Sequence, residues 1–271
     1  MTPRLPPHVP DWSALTGPEI AEAVARDAVV VLPLAATEQH GPHLPPSTDV
    51  DIGLGILSEA FAALRGAVPA WALAPFATGA SEEHMSFPET CSMSGAELVE
   101  AIERVGASLA DVGVRRLVLS NSHGGNRFAM EEAGLRLRRR HGLLVVKASW
   151  FRLGRPDDVD FPEAEWRHGL HGGAVETAMM LWLRPDAVRV ERVAEFRSLG
   201  QELEHTLRRL GPEGEASFSW LAEDLSASGV TGDARLATAD AGRRLVRHYG
   251  EALADVVRDA LDFPLDRLGS R

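Results

Sequence analysis

Short apolar runs and polar bursts alternate along this chain. Residues Ala28 to Leu34 form a short β-branched apolar run, the pattern of a strand buried on both faces. A polar loop follows, and from Asp51 the apolar residues Ile52, Ile56, Ala60 and Leu64 recur at helical spacing. The cycle repeats. Trp71 to Phe76 predicts a second strand, which ends in the polar loop ATGASEEHMSFPET. Gly95 to Gly113 predicts an amphipathic helix, and Arg115 to Leu119 a strand running into SNSHGGN. A helix to His141 follows, then a fourth strand at Leu143 to Ala148, with Ser149, Trp150 and Phe151 just past it. Upstream, Thr16 and Pro18 mark the start of a first helix. Downstream, Ala174 to Leu183 reads as a helix, and GVTGDARLATADAG as a loop into a last helix ending near Phe263. Val188 to Ala227 is ambiguous, with helical patches between Gln201 and Leu210.

Strands alternating with helices predict an α/β fold of three layers, a mostly parallel central sheet covered by helices on both faces. No internal repeat or linker breaks the pattern, so residues 1–271 are expected to form a single domain, with a Pro-rich extended arm to Pro10. Three of the predicted strands deliver polar clusters at their carboxyl ends, the functional edge of an open parallel sheet.

Charge narrows the choice of partner. With 39 acidic against 28 basic residues and a formal net charge of −11, neither nucleic acid nor an anionic membrane surface suits this chain. The arginine-rich LRLRRRH reads as a solvated helix end, where positive charge suits the helix dipole. A lone cysteine, Cys91, rules out an intrachain disulfide and reads as a small packed or loop residue. The N-terminus lacks a signal-peptide core and no run reaches membrane-spanning length, so a cytoplasmic location is expected.

Three clusters carry candidate chemistry. Glu38 and His40 are one residue apart, so an extended backbone points both the same way, and a turn-rich segment can fold Asp49 back toward them. Such carboxylate and imidazole donors suit zinc, manganese or iron better than magnesium or calcium; taken alone, the loop reads equally as solvated surface. His123 follows a predicted strand, and Gly124 and Gly125 leave the backbone open to a ligand. In HGGAVET, a turn at a helix start brings His171 and Glu176 to one site, and Glu176 sits among apolar residues where a carboxylate needs a partner, a metal or an arginine. His43 reads as either an orienting residue or an exposed one. Glu82, Glu83 and His84 read as a solvated loop.

EQHGPHLPPSTD, SNSHGGN and HGGAVET, in this order, resemble the creatininase (creatinine amidohydrolase) family from about Val29 to Leu183, with weaker echoes in SFPET and GVTGDARLATADAG. The resemblance implies hydrolysis of a small-molecule amide by two divalent metal ions per subunit, on a parallel-sheet α/β fold that assembles as a homo-oligomer, often a hexamer. It implies Glu38, His40, Asp49 and His123 as metal ligands, with Asp49 the bridge, and His171 beside the substrate. Creatininases proper carry an aromatic residue and a metal-binding glutamate directly after the motif histidine. Here those positions are Gly124 and Gly125, so Glu176 is the candidate to replace the missing ligand or, if not a ligand, to take the proton of the attacking water, with His171 the candidate to protonate the leaving nitrogen. Trp150 falls where a creatininase places a substrate-facing tryptophan and Trp166 lies near a second, although packing explains such residues equally well. The HGGN form resembles branches that act on other amides, among them formamide deformylases and peptidases of mycofactocin precursors. Loss of the glutamate also leaves open a non-catalytic metal-binding assembly protein.

Overall fold

Strand β1, Val29–Leu34, is buried at every position. It is hydrogen-bonded on both sides in a four-stranded parallel sheet of order β2-β1-β3-β4, with β2 at Ala70–Ala72, β3 at Arg116–Asn121 and β4 at Leu144–Ser149. The computed structural model describes residues 3–269, so the first two residues of the Pro-rich arm and the last two of the chain lie outside it.

Helices α1 (Gly17–Ala25), α2 (Thr48–Leu64), α3 (Gly95–Asp111), α4 (Arg127–His141), α5 (Glu163–His168) and α6 (Ala174–Leu183) are followed by the short α7 (Leu199–Leu203) and α8 (Ala222–Leu225) and the long α9 (Ala239–Asp262). Alternation along β1 divides its side chains between two cores. Val29 and Val31 pack with Ile52, Met179 and Leu253 of α2, α6 and α9. Val30, Leu32 and Leu34 pack with Leu98, Ile102, Met130 and Leu137 of α3 and α4. The expected three layers are therefore present.

Strand order places the chemistry. The chain leaves β1 toward β2 on one side, then returns to β3 on the other, so the order reverses between β1 and β3. Loops leaving two such strands diverge and open a crevice at their carboxyl ends. Glu38 and His40 follow β1, and His123 follows β3.

Local chemistry accounts for the departures from the sequence reading. The second strand stops at Ala72, not Phe76: Pro75 has no N–H to continue the ladder, and Phe76 rejoins only through an isolated bridge to Leu34. β3 runs two residues further, to Asn121, paired with β1 on one side and β4 on the other. Between Gln201 and Leu210 helix persists only to Leu203. The described part of the arm docks on the sheet: Ala72 N–H donates to Pro10 O at 2.8 Å and Asp11 bridges Ala72, covering the β2 edge. Cys91 is exposed on a loop.

Close contacts tie α9 down. A Cβ at Gly242 would lie 1.8 Å from Ala178 O, so only glycine allows α9 to approach α6 this closely. At the other end, buried Arg116 donates to Ala260 O and Phe263 O at 2.7 and 3.0 Å and, through Nε and Nη2 at 3.0 and 2.7 Å, to Oδ2 of Asp27, whose Oδ1 accepts from Arg115 at 3.0 Å.

Candidate metal centre

Six side chains converge in the crevice. Glu38 and His40 come from the loop after β1, Asp49 from the first turn of α2, His123 from the loop after β3, and His171 and Glu176 from the entrance and first turn of α6. Helix N-termini favour negative charge, which suits Asp49 and Glu176 there. Glu176 Oε2 also accepts from Gly172 N–H at 2.7 Å.

Asp49 stands in the middle. Its Oδ1 lies 3.3 Å from His40 Nε2 and its Oδ2 3.3 Å from His123 Nδ1. Glu38 Oε1 lies 3.1 Å from His123 Nδ1 and 3.6 Å from His171 Nδ1, and Glu176 Oε2 lies 3.8 Å from His40 Nε2. Three groups could each hold a cation: Glu38, Asp49 and His123; His40, Asp49 and Glu176; and Glu38, His40 and His171. The first two share Asp49.

Main-chain carbonyls set the imidazole tautomers. His40 Nδ1 lies 3.0 Å from Glu38 O, His123 Nε2 2.9 Å from Ala80 O, and His171 Nε2 2.6 Å from Gln39 O. A carbonyl only accepts, so each of these nitrogens carries the proton of the neutral ring and the other nitrogen turns a lone pair toward the carboxylates. This is how ligating histidines are held.

The electrostatics call for a cation. Glu38 Oε2, His40 Nε2 and Asp49 Oδ2 are buried without a hydrogen-bond partner. Burial opposes charge on His40, yet Asp49 raises its pKa to about 9. His123 is likewise opposed by burial and raised well above the ordinary value by Glu38 and Asp49. Without a metal, protons supply the positive charge these carboxylates require. Burial raises Glu176 to about 7 despite His40. The donor set therefore fits divalent metal.

Neighbouring residues depart from the sequence reading in instructive ways. His84 is buried, not solvated, and its Nε2 lies 3.6 Å from Glu38 Oε1. Glu83 Oε1 lies 3.7 Å from His123 Nε2. Gly124 borders open space, whereas a Cβ at Gly125 would lie 2.2 Å from Ala80 O and 2.5 Å from His123 Nε2. Gly125 thus makes room for the protein itself and lets His123 reach its carbonyl. Trp150 is buried against Tyr249 at 5.0 Å between ring centroids, and Trp166 packs on Phe161 at 5.6 Å with Arg155 over its ring. Sequence reasoning missed Glu165. Its buried carboxylate accepts from Ala174 N and Asp233 N, both at 2.6 Å, joining the His171 loop to the GVTGD loop. No local pattern marks it; the signal would have been a carboxylate between two glycine-rich loops.

His43 is fully buried, with Nε2 at 3.1 Å from Gly172 O and 2.9 Å from Thr177 Oγ1, so it pins the His171 loop and orients no carboxylate. Burial lowers its pKa to about 4. The unfolded chain then binds the proton more readily, so the stability His43 contributes is present above pH ~6.5 and is lost as pH falls toward 4. Between pH 6.5 and 5, metal-free protein should lose about 2 kcal/mol more than a His43→Gln variant, which keeps an N–H donor. Urea unfolding of both proteins at the two pH values checks this; equal losses would refute it.

A family model for creatininase, described as creatinine amidohydrolase, matches residues 13–257. The chain belongs to the creatininase family. It is 35% identical over 239 residues to a mycofactocin precursor peptide peptidase of Mycobacterium tuberculosis, covering 84% of this chain and 83% of that protein. It is 32% identical over 190 residues to a creatinine amidohydrolase of Pseudomonas putida, covering 65% of this chain and 72% of that protein. A manganese creatininase structure superposes with a TM-score of 0.76 at 27% identity, over 94% of this chain and 99% of that one. A mutant creatininase of Zn-Zn type superposes at 0.73 with 26% identity, over 94% and 98%. Creatininase-family relatives named here hydrolyse amide bonds, and the fold of this chain is theirs. No helix among the described residues is long and apolar enough to cross a membrane.

Proposed function

We propose that this chain is a metal-dependent amidohydrolase that uses two divalent ions, zinc, manganese or iron, to cleave a C–N amide bond. The carrying observation is the pair of ligand groups that share Asp49. Glu38, Asp49 and His123 would hold one ion and His40, Asp49 and Glu176 the other, with Glu176 in place of the glutamate absent at Gly125. Bound divalent ions supply Lewis acidity at the amide carbonyl and bring the pKa of water toward neutrality.

The protein's own groups do the rest. His171 has one nitrogen committed to Gln39 O and the other facing the site. That Nδ1 accepts a proton from the attacking water and returns it to the leaving nitrogen. Gly124 leaves space where creatininases proper carry an aromatic side chain. That space, with the 84% coverage of this chain by the precursor-peptide peptidase, favours a peptide amide over a small cyclic amide or a formamide. Trp150, whose buried indole N–H has no partner among the described residues, is a candidate substrate contact, and Trp166 a second.

Metal content and turnover test this reading together. Protein loaded with zinc or manganese should retain two ions per chain and hydrolyse a short peptide faster than creatinine or a formamide. Retention of no divalent ion, with no hydrolysis of any of the three, would overturn it. Light scattering of the same sample tests the homo-oligomer implied by the family resemblance.

A further inference from the structure

Gln39, between two proposed ligands in sequence, turns its side chain toward the main chain. Its Oε1 accepts from Gly41 N–H at 2.9 Å, and its Nε2 donates to Gly229 O at 3.2 Å. A flipped amide would set donor against donor and acceptor against acceptor, so the two backbone groups fix which end is nitrogen. That nitrogen also lies 2.9 Å from His84 Nδ1. An amide N–H only donates, so His84 Nδ1 carries a lone pair and the proton of the neutral ring sits on Nε2. His84 Nε2 is the atom that faces Glu38 Oε1, at 3.6 Å. The arrangement is the reverse of His40, His123 and His171, which turn lone pairs to the carboxylates. His84 is therefore built as a donor toward the centre and is unsuited to be a ligand.

We propose that His84 is a positioning residue whose Nε2–H steers the Glu38 carboxylate into its ligand orientation, and that Gln39, locked by Gly229, sets the tautomer this requires. The proposal rests on the reading of Glu38 as a metal ligand. Glu38 Oε2 has no hydrogen-bond partner, while Oε1, the oxygen that faces His84, also lies 3.1 Å from His123 Nδ1, so His84 and His123 hold this carboxylate through the same atom. The 3.6 Å separation is longer than a hydrogen bond, so the interaction is assigned to the metal-loaded protein. Gly229 has a second reason to be glycine: its φ is +71°, and a Cβ there would lie 2.2 Å from Gln39 Nε2.

The test is tautomer and zinc affinity, read without turnover. Nitrogen-15 NMR of histidine-labelled, zinc-loaded protein should show His84 protonated at Nε2 alone, and Gln39→Met should release it into a mixture of tautomers. Chelator competition should show zinc binding weakened about 10- to 100-fold in His84→Leu. His84→Gln, which keeps an N–H donor, should recover most of that loss; a purely structural role would not distinguish the two. A proton on Nδ1 of His84, or equal zinc affinity in His84→Leu and wild type, overturns the proposal while leaving the two-metal reading intact. Wild-type protein that binds no zinc overturns both. If His84→Leu fails to fold, the tautomer in wild type still decides.

Discussion

Asp49→Ala is expected to abolish metal retention and amide hydrolysis together. Asp49 gives one oxygen to each side of the centre, each 3.3 Å from a histidine nitrogen, so its loss removes a ligand from both groups at once. Glu176→Ala should be milder, because it removes a ligand from one group only. Lewis-acid stabilisation of the developing charge is worth several kcal/mol, so kcat/KM should fall on the order of a thousandfold or more in Asp49→Ala. Elemental analysis beside peptide hydrolysis checks the coupling. An alanine variant that kept both ions and wild-type turnover would remove Asp49 from the centre.

Gly242→Ala is expected to destabilise the fold although it adds a single methyl group. Helix propensity alone favours alanine over glycine by about 1 kcal/mol. The added Cβ, however, would stand 1.8 Å from Ala178 O, a backbone atom that no rotamer change can move aside. Overpacking of this kind costs roughly 1–3 kcal/mol and sometimes more. The upper end applies here because two helices must separate, so the net loss should be about 2 kcal/mol. Since α6 carries His171 and Glu176 at its start, the variant should also lose turnover below its unfolding temperature. Denaturant midpoints measure the first effect and kcat at low temperature the second. A midpoint at or above wild type would show that α6 and α9 do not meet through Gly242.

The sequence made the fold legible where hydrophobic period and length agree. β1 and α6 emerge near their predicted bounds because a β-branched run and a ten-residue helix with a glycine entrance have few alternatives. Trp71 to Phe76 looked like a strand because apolar content does not register that Pro75 lacks a donor. Val188 to Ala227 stayed ambiguous because its pieces are two to five residues long and held by tertiary contacts. The candidate site divides in the same way. Glu38, His40, Asp49, His123, His171 and Glu176 stood out because they cluster just past strands or at a helix start. His84 and Gln39 did not, because their meaning lies in partners 45 and 190 residues away, which no local pattern reports.

The tethering of the three inward-facing imidazoles has a consequence for how such a protein can diverge. Glu38 O, Ala80 O and Gln39 O belong to the main chain, and a point substitution cannot delete a carbonyl. Side chains around the crevice are thus free to drift, enlarging or reshaping the space for a new amide, while the rings keep their aim. Inheritance of the reaction is thereby separated from inheritance of the substrate.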